Sequence, residues 1–154
     1  MLKKLNPAVS KYWLIALAGL MWSGVGIMLL RLAYIWLATV NWSMGVSLGS
    51  LGIISALTAY RYGFSKIALK NIARLCLLPN KYCIFAFQTW KGYLIIIFMI
   101  MLGITLRYSL IPKHFLAVIY AAIGGALFLS SFHFYRRIWQ VKILKQPCWP
   151  HKEE

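Results

Sequence analysis

Four apolar runs, each near the roughly 20 residues that a helix needs to cross a bilayer, leave this chain few ways to fold. They cover residues 13–38, 44–60, 88–110 and 115–135. Asn41-Trp42-Ser43 joins the first two runs and Ile111-Pro112-Lys113 the last two. Pro112 cannot continue a helix and biases Ile111 away from helical geometry, so each connection reads as a tight turn. The expected fold is an all-α integral membrane protein with four transmembrane helices in two tandem helical hairpins. Residues 1–77 are expected to hold the first hairpin and an amphipathic helix at about 62–76. Residues 78–154 are expected to hold a connector, the second hairpin and a short tail without regular structure. The first run exceeds the roughly 7–15 apolar residues of a signal-peptide core, so it reads as a retained anchor.

Basic residues orient the four runs. If both hairpin turns face outward, only Arg31, Arg107 and Lys113 lie toward the outside, and the other fourteen of the 17 Lys and Arg lie inside. Both termini are therefore expected on the cytoplasmic side of a bacterial-type plasma membrane. Tyr60, Trp90, Tyr135 and Trp139 then gather at the inner interface, with Trp36, Trp42 and Tyr108 at the outer one, as amphipathic rings do. The formal charge of +15 does not indicate nucleic acid, because the cations punctuate apolar runs instead of forming one patch.

Against that charge stand only two carboxylates, Glu153 and Glu154, at the last two positions. Paired-carboxylate hydrolysis, a Ser-His-Asp triad and carboxylate-ligated cation sites are thereby excluded. No metal or other cofactor is expected: His114 and His133 are 19 residues apart, about 28 Å along one helix, too far to share a ligand. Cys76, Cys83 and Cys148 have neither metal-ligand spacing nor an even number, and read as reduced cytoplasmic thiols.

The two halves resemble each other at an offset near 75 residues. Leu30-Arg31 aligns with Leu106-Arg107, Gly49 with Gly124, and Tyr60-Arg61 with Tyr135-Arg136. Both halves begin inside, so a duplication would be a parallel repeat about an axis along the membrane normal. Small residues mark the expected packing faces: Gly19, Ser23 and Gly26 in the first run, Gly45, Gly49, Gly52 and Ala56 in the second, and Gly124 in the fourth. In lipid, close backbone approach is the ordinary way that helices associate. The two stripes of the first hairpin are expected to face each other.

Arg31 and Arg107 are the strongest functional candidates. Each follows an aromatic at the inner interface, Trp13 or Trp90, by 17–18 residues, so the two fall at nearly equal depth near the outer boundary. Their partner is lipid phosphate reached by snorkelling, an anionic substrate, or an acidic residue on another membrane protein. Lys66, Lys70 and Arg74 recur every four residues opposite an apolar face, which suits contact with anionic headgroups. A unit this small has little interior, so any sizeable pore is expected between subunits of a homo-oligomer. Three functions fit: an oligomeric transporter or channel for an anionic or neutral solute, a non-catalytic subunit or assembly factor of a larger complex, and, less well supported, a lipid or quinone enzyme using Cys83 or His133.

Overall fold

Ser10 closes a three-residue strand, β1 (Ala8–Ser10), and its extended backbone opens the first long helix, α1 (Lys11–Leu37). The computed structural model describes residues 8–77, 81–83, 90–145 and 147. After α1, the amides of Thr39 and Val40 donate to the Trp36 and Leu37 carbonyls, tightening the chain into a turn. Asn41, again extended, starts α2 (Trp42–Ala59), and its carbonyl accepts the Gly45 amide at 2.8 Å. Residues 60–64 continue the rod as a single π-turn (Tyr60–Phe64) that runs straight into α3 (Ser65–Leu77). A second short strand, β2 (Lys81–Cys83), pairs antiparallel with β1, placing Ala8 opposite Cys83 and Ser10 opposite Lys81. Helix α4 (Trp90–Tyr108) follows, and Pro112 caps α5 (Lys113–Lys142).

Among the described residues, the regular structure is helical apart from that two-strand clasp. Among the described residues, three helices are long and apolar enough to cross a membrane: Tyr12–Leu37, Trp42–Leu77 and Lys113–Lys142. Within α4, the stretch Ile96–Tyr108 is apolar but shorter. The rod Trp42–Leu77 has 36 residues, about 54 Å at 1.5 Å per residue, and so exceeds a bilayer core of about 30 Å.

Helix α5 organises the packing, and here the structure departs from the expected tight first hairpin. Helices α1 and α2 meet each other little, and both lie along α5 instead. The reason is visible at two adjacent glycines. A Cβ on Gly124 would come within 2.9 Å of the Gly26 carbonyl oxygen and of Leu29 Cβ, and a Cβ on Gly26 would meet the Gly124 carbonyl oxygen and the Phe128 amide nitrogen at 2.9 Å. The α1 and α5 backbones therefore touch directly. A Cβ on Gly125, rotated about 100° around the same helix, would come within 2.8 Å of Ala56 on α2. Gly52 lies against Ala121 in the same seam, so α2 runs parallel to α5, whereas α1 runs antiparallel. The small stripes expected to face each other each face α5.

Two apolar clusters flank the glycine crossing. Near the start of α1, Leu14, Ile15, Ala18 and Trp22 bury against Ala68, Ile72 and Leu75 of α3 and against Leu127 and Phe134 of α5. Trp22 lies tilted against Phe134, ring centroids 5.5 Å apart, and edge-on at 6.2 Å to Phe64, which makes it a packed core ring. Toward the other end, Ala33 packs with Leu116, Ala117 and Tyr120, and Trp36 meets Tyr120 edge-on at 5.0 Å. Residues 62–76 were expected as a separate helix along the membrane surface, yet α3 is continuous with α2 and its apolar side is buried in the bundle. The spacing of Ala68, Ile72 and Leu75 at four and three residues gives one face that α1 and α5 can cover completely. The connector around residues 78–89, apart from Lys81–Cys83, lies outside the described residues, as does the tail except for residues 143–145 and 147.

Candidate functional site

The π-turn creates the most polar contact between the long helices. In an α-helix, residues five apart point about 140° away from each other. Here the Ser65 amide donates to the Tyr60 carbonyl, and the wider turn brings both side chains to one side. Both reach the same atom: the Tyr60 hydroxyl and the Ser65 hydroxyl each lie 3.0 Å from Nε2 of His133 on α5. The Tyr60 and His133 rings are also stacked, with centroids 5.8 Å apart and planes 15° from parallel. Two hydroxyls thus share one imidazole nitrogen, joining the Trp42–Leu77 rod to α5 through side-chain hydrogen bonds.

A groove of about 550 Å³ opens beside this cluster, lined by Tyr60, Phe132, His133, Tyr135, Arg136 and Trp139. Phe132, Arg136 and Trp139 stand at i, i+4 and i+7 and share one exposed face of α5. His133 and Tyr60 wall one side. Tyr135 walls the other, and its hydroxyl lies 2.9 Å from the Ser23 hydroxyl of α1, which also bonds back to the Leu20 carbonyl at 3.1 Å. All three long helices thus contribute to fixing the groove. One turn earlier on α5, Ser130 is fully buried and its hydroxyl has no partner among the described residues.

The residues singled out in the sequence take different places. Arg31 on α1 and Arg107 on α4 are both exposed, and neither lines the groove. Lys66 and Lys70 are exposed on α3, whereas Arg74 is half-buried. Gly19, Gly26, Gly52, Ala56 and Gly124 lie in close contacts with α5 or α1, and Gly19 faces Phe134 and Tyr135. Gly49 has open space around it, and Gly45 meets only the turn at Leu37 and Val40. Ser23, expected as a packing residue, also carries the hydrogen bond to Tyr135. Among the described residues no group of three His, Cys, Asp or Glu is placed to hold a metal. Cys76 is disulfide-bonded, which departs from the expectation of three reduced thiols.

The sequence singles out His133 only as too far from His114 to share a ligand and as a candidate reactive group, and does not announce Tyr60 and Ser65 as its partners. They lie 73 and 68 residues away, and no local pattern announces the π-turn that brings them together. The one available signal was the recurrence of Tyr-Arg at 60–61 and 135–136, since both tyrosines border the groove.

Three described helices are long and apolar enough to cross a membrane and are sheathed in exposed Leu, Ile, Met and Phe, which suggests a helical membrane protein. The chain matches no family model, no curated protein sequence and no solved structure.

Proposed function

We propose that the chain is a four-span protein of a bacterial-type plasma membrane, two tandem hairpins with both termini cytoplasmic, and that it works as a homo-oligomeric transporter or channel for an anionic or neutral small solute. The observation that carries this reading is the pair of exposed arginines, Arg31 and Arg107, in a chain with no carboxylate before Glu153. Their counter-charge comes from outside the chain. A guanidinium presents a planar fork of donors that suits carboxylate or phosphate oxygens. In an oligomer, arginines on outward faces line the boundary between subunits, where a small unit has room for a path.

The test is anion and small-solute flux in proteoliposomes, comparing wild type with Arg31→Gln and Arg107→Gln variants matched for insertion and oligomeric state. Flux that either substitution abolishes supports the reading. Equal flux in all three, or none above empty liposomes across a broad anion panel, removes it.

A second reading, a non-catalytic subunit of a larger membrane complex, is favoured by α4. Leu94, Ile97, Phe98, Ile100, Met101 and Ile104 are all exposed along it. A partner helix bearing an acidic residue could cover that face and neutralise Arg107 together. Stable co-purification of an acidic membrane partner that Arg107→Gln releases would select this reading over transport.

A further inference from the structure

We infer that the groove beside His133 is a binding site for a phosphate ester group, carried by an anionic phospholipid. This inference rests on the reading of the chain as membrane-spanning and is independent of transport. Arg136 lines the groove and is exposed there, in a chain whose only carboxylates are Glu153 and Glu154. A guanidinium without an internal counter-ion attracts an external anion, and its fork matches two oxygens of a phosphate. Hydroxyl and imidazole groups stand on the same wall: the Tyr60 hydroxyl, held 3.0 Å from His133 Nε2, can turn its proton to a phosphate oxygen while its own oxygen stays anchored.

The rest of the lining selects an amphiphile over a free anion. Phe132 and Trp139 are about half exposed, at 53 % and 55 %, and Tyr135 is 36 % exposed, so three aromatic rings stand beside the polar groups of the groove. Inorganic phosphate would leave those rings in contact with water. A glycerol backbone and the first carbons of an acyl chain would cover them, and Trp and Tyr rings favour that headgroup depth. The volume of about 550 Å³ falls within the roughly 300–1,000 Å³ of ligand-sized sites. The site is also rigid for its position, because the Ser23 to Tyr135 bond ties one wall to α1 and the His133 cluster ties the other to the π-turn. It is separate from the exposed Lys66 and Lys70 on α3, which do not line the groove.

The experiment is native mass spectrometry of the delipidated full chain in detergent, titrated separately with phosphatidylglycerol, diacylglycerol and glycerol 3-phosphate. The expected result is one phosphatidylglycerol retained per chain, with diacylglycerol lost and glycerol 3-phosphate binding far more weakly. Arg136→Gln lowers lipid occupancy about tenfold, the size of one lost charge-assisted hydrogen bond, and Arg136→Lys recovers part of it. The double variant Lys66→Gln, Lys70→Gln retains lipid as wild type does, which separates the groove from general surface charge. Glycerol 3-phosphate binding as tightly as the lipid would keep the phosphate chemistry and overturn the lipid as its source. Equal retention by wild type and Arg136→Gln, or retention of diacylglycerol equal to that of phosphatidylglycerol, overturns the site.

Discussion

Helix α4 is the more apolar of the last two helices, yet α5 is the one that is buried. Helix α5 is packed on two sides so closely that backbone meets backbone at Gly26 and Gly124, and nine of its residues are buried. Among the described residues, helix α4 meets the rest of the molecule at a hydrogen bond from the Tyr120 hydroxyl to the Gly103 carbonyl, 3.0 Å, and at Leu106 beside the cluster of Ala33 and Leu116, with no long run against another helix. The difference lies in side-chain size more than in hydropathy. Alternating Ala, Gly and Ser let α5 approach two helices at once, whereas Ile, Phe, Met and Leu hold other backbones away from α4. Burial in lipid rewards close contact, because no hydrophobic drive distinguishes a helix neighbour from an acyl chain. One of these two helices is thus committed to the fold, and the other keeps an exposed apolar surface.

The strongest way to break this comparison is Gly124→Leu. The new Cβ alone would clash with backbone atoms of α1, which cannot give way as a flexible side-chain tip can. Overpacking of this kind costs about 3 kcal/mol, more than the roughly 1 kcal/mol of helix propensity regained on losing glycine. Reversible unfolding in mixed micelles should show that loss, and an unchanged unfolding curve would mean that the α1–α5 crossing is not as tight as described. Tyr120→Phe acts on the other side of the comparison with a smaller effect, about 0.6 kcal/mol for one interhelical hydrogen bond in a membrane. Its readout is faster hydrogen exchange across α4 with no change in α1; equal change in both helices would show that α4 is as integral as α5. Gly49→Ala should have the smallest effect, neutral or slightly stabilising in the same unfolding assay, since nothing lies within 4 Å of a Cβ there. A marked loss of oligomer on that substitution would identify Gly49 as a contact between copies.

The elements themselves were legible because hydropathy and the placement of Lys and Arg act over whole segments. Residues 13–38 correspond closely to α1, and 115–135 fall within α5, which runs on to Lys142, while Pro112 opens α5 as its missing amide allows. Partner choice was not legible. A stripe such as Gly45, Gly49, Gly52 and Ala56 says that a backbone can come close, without saying whose, and only Gly52 and Ala56 are used against α5. Likewise Gly124 and Gly125 look like one small patch in sequence, yet one position of helical rotation sends them to different helices. The site was hidden for a related reason: Tyr60-Arg61-Tyr62-Gly63-Phe64 reads as an interfacial stop, and the continuous rod through it depends on tertiary burial of α3 against Leu14, Ile15 and Ala18.

That five-residue turn also sets an angular phase. An α-helix advances about 100° per residue, so winding residues 60–64 as regular α-helix, with no residue removed, would rotate everything beyond them by roughly that amount. Ser65 would swing away from His133, and Ala68, Ile72 and Leu75 would turn out of the core while the lysines of α3 turned inward. One extra residue acts as the gear tooth that lets a single 36-residue rod present a glycine seam to α5 at one end and a different, correctly aimed face to α1 at the other.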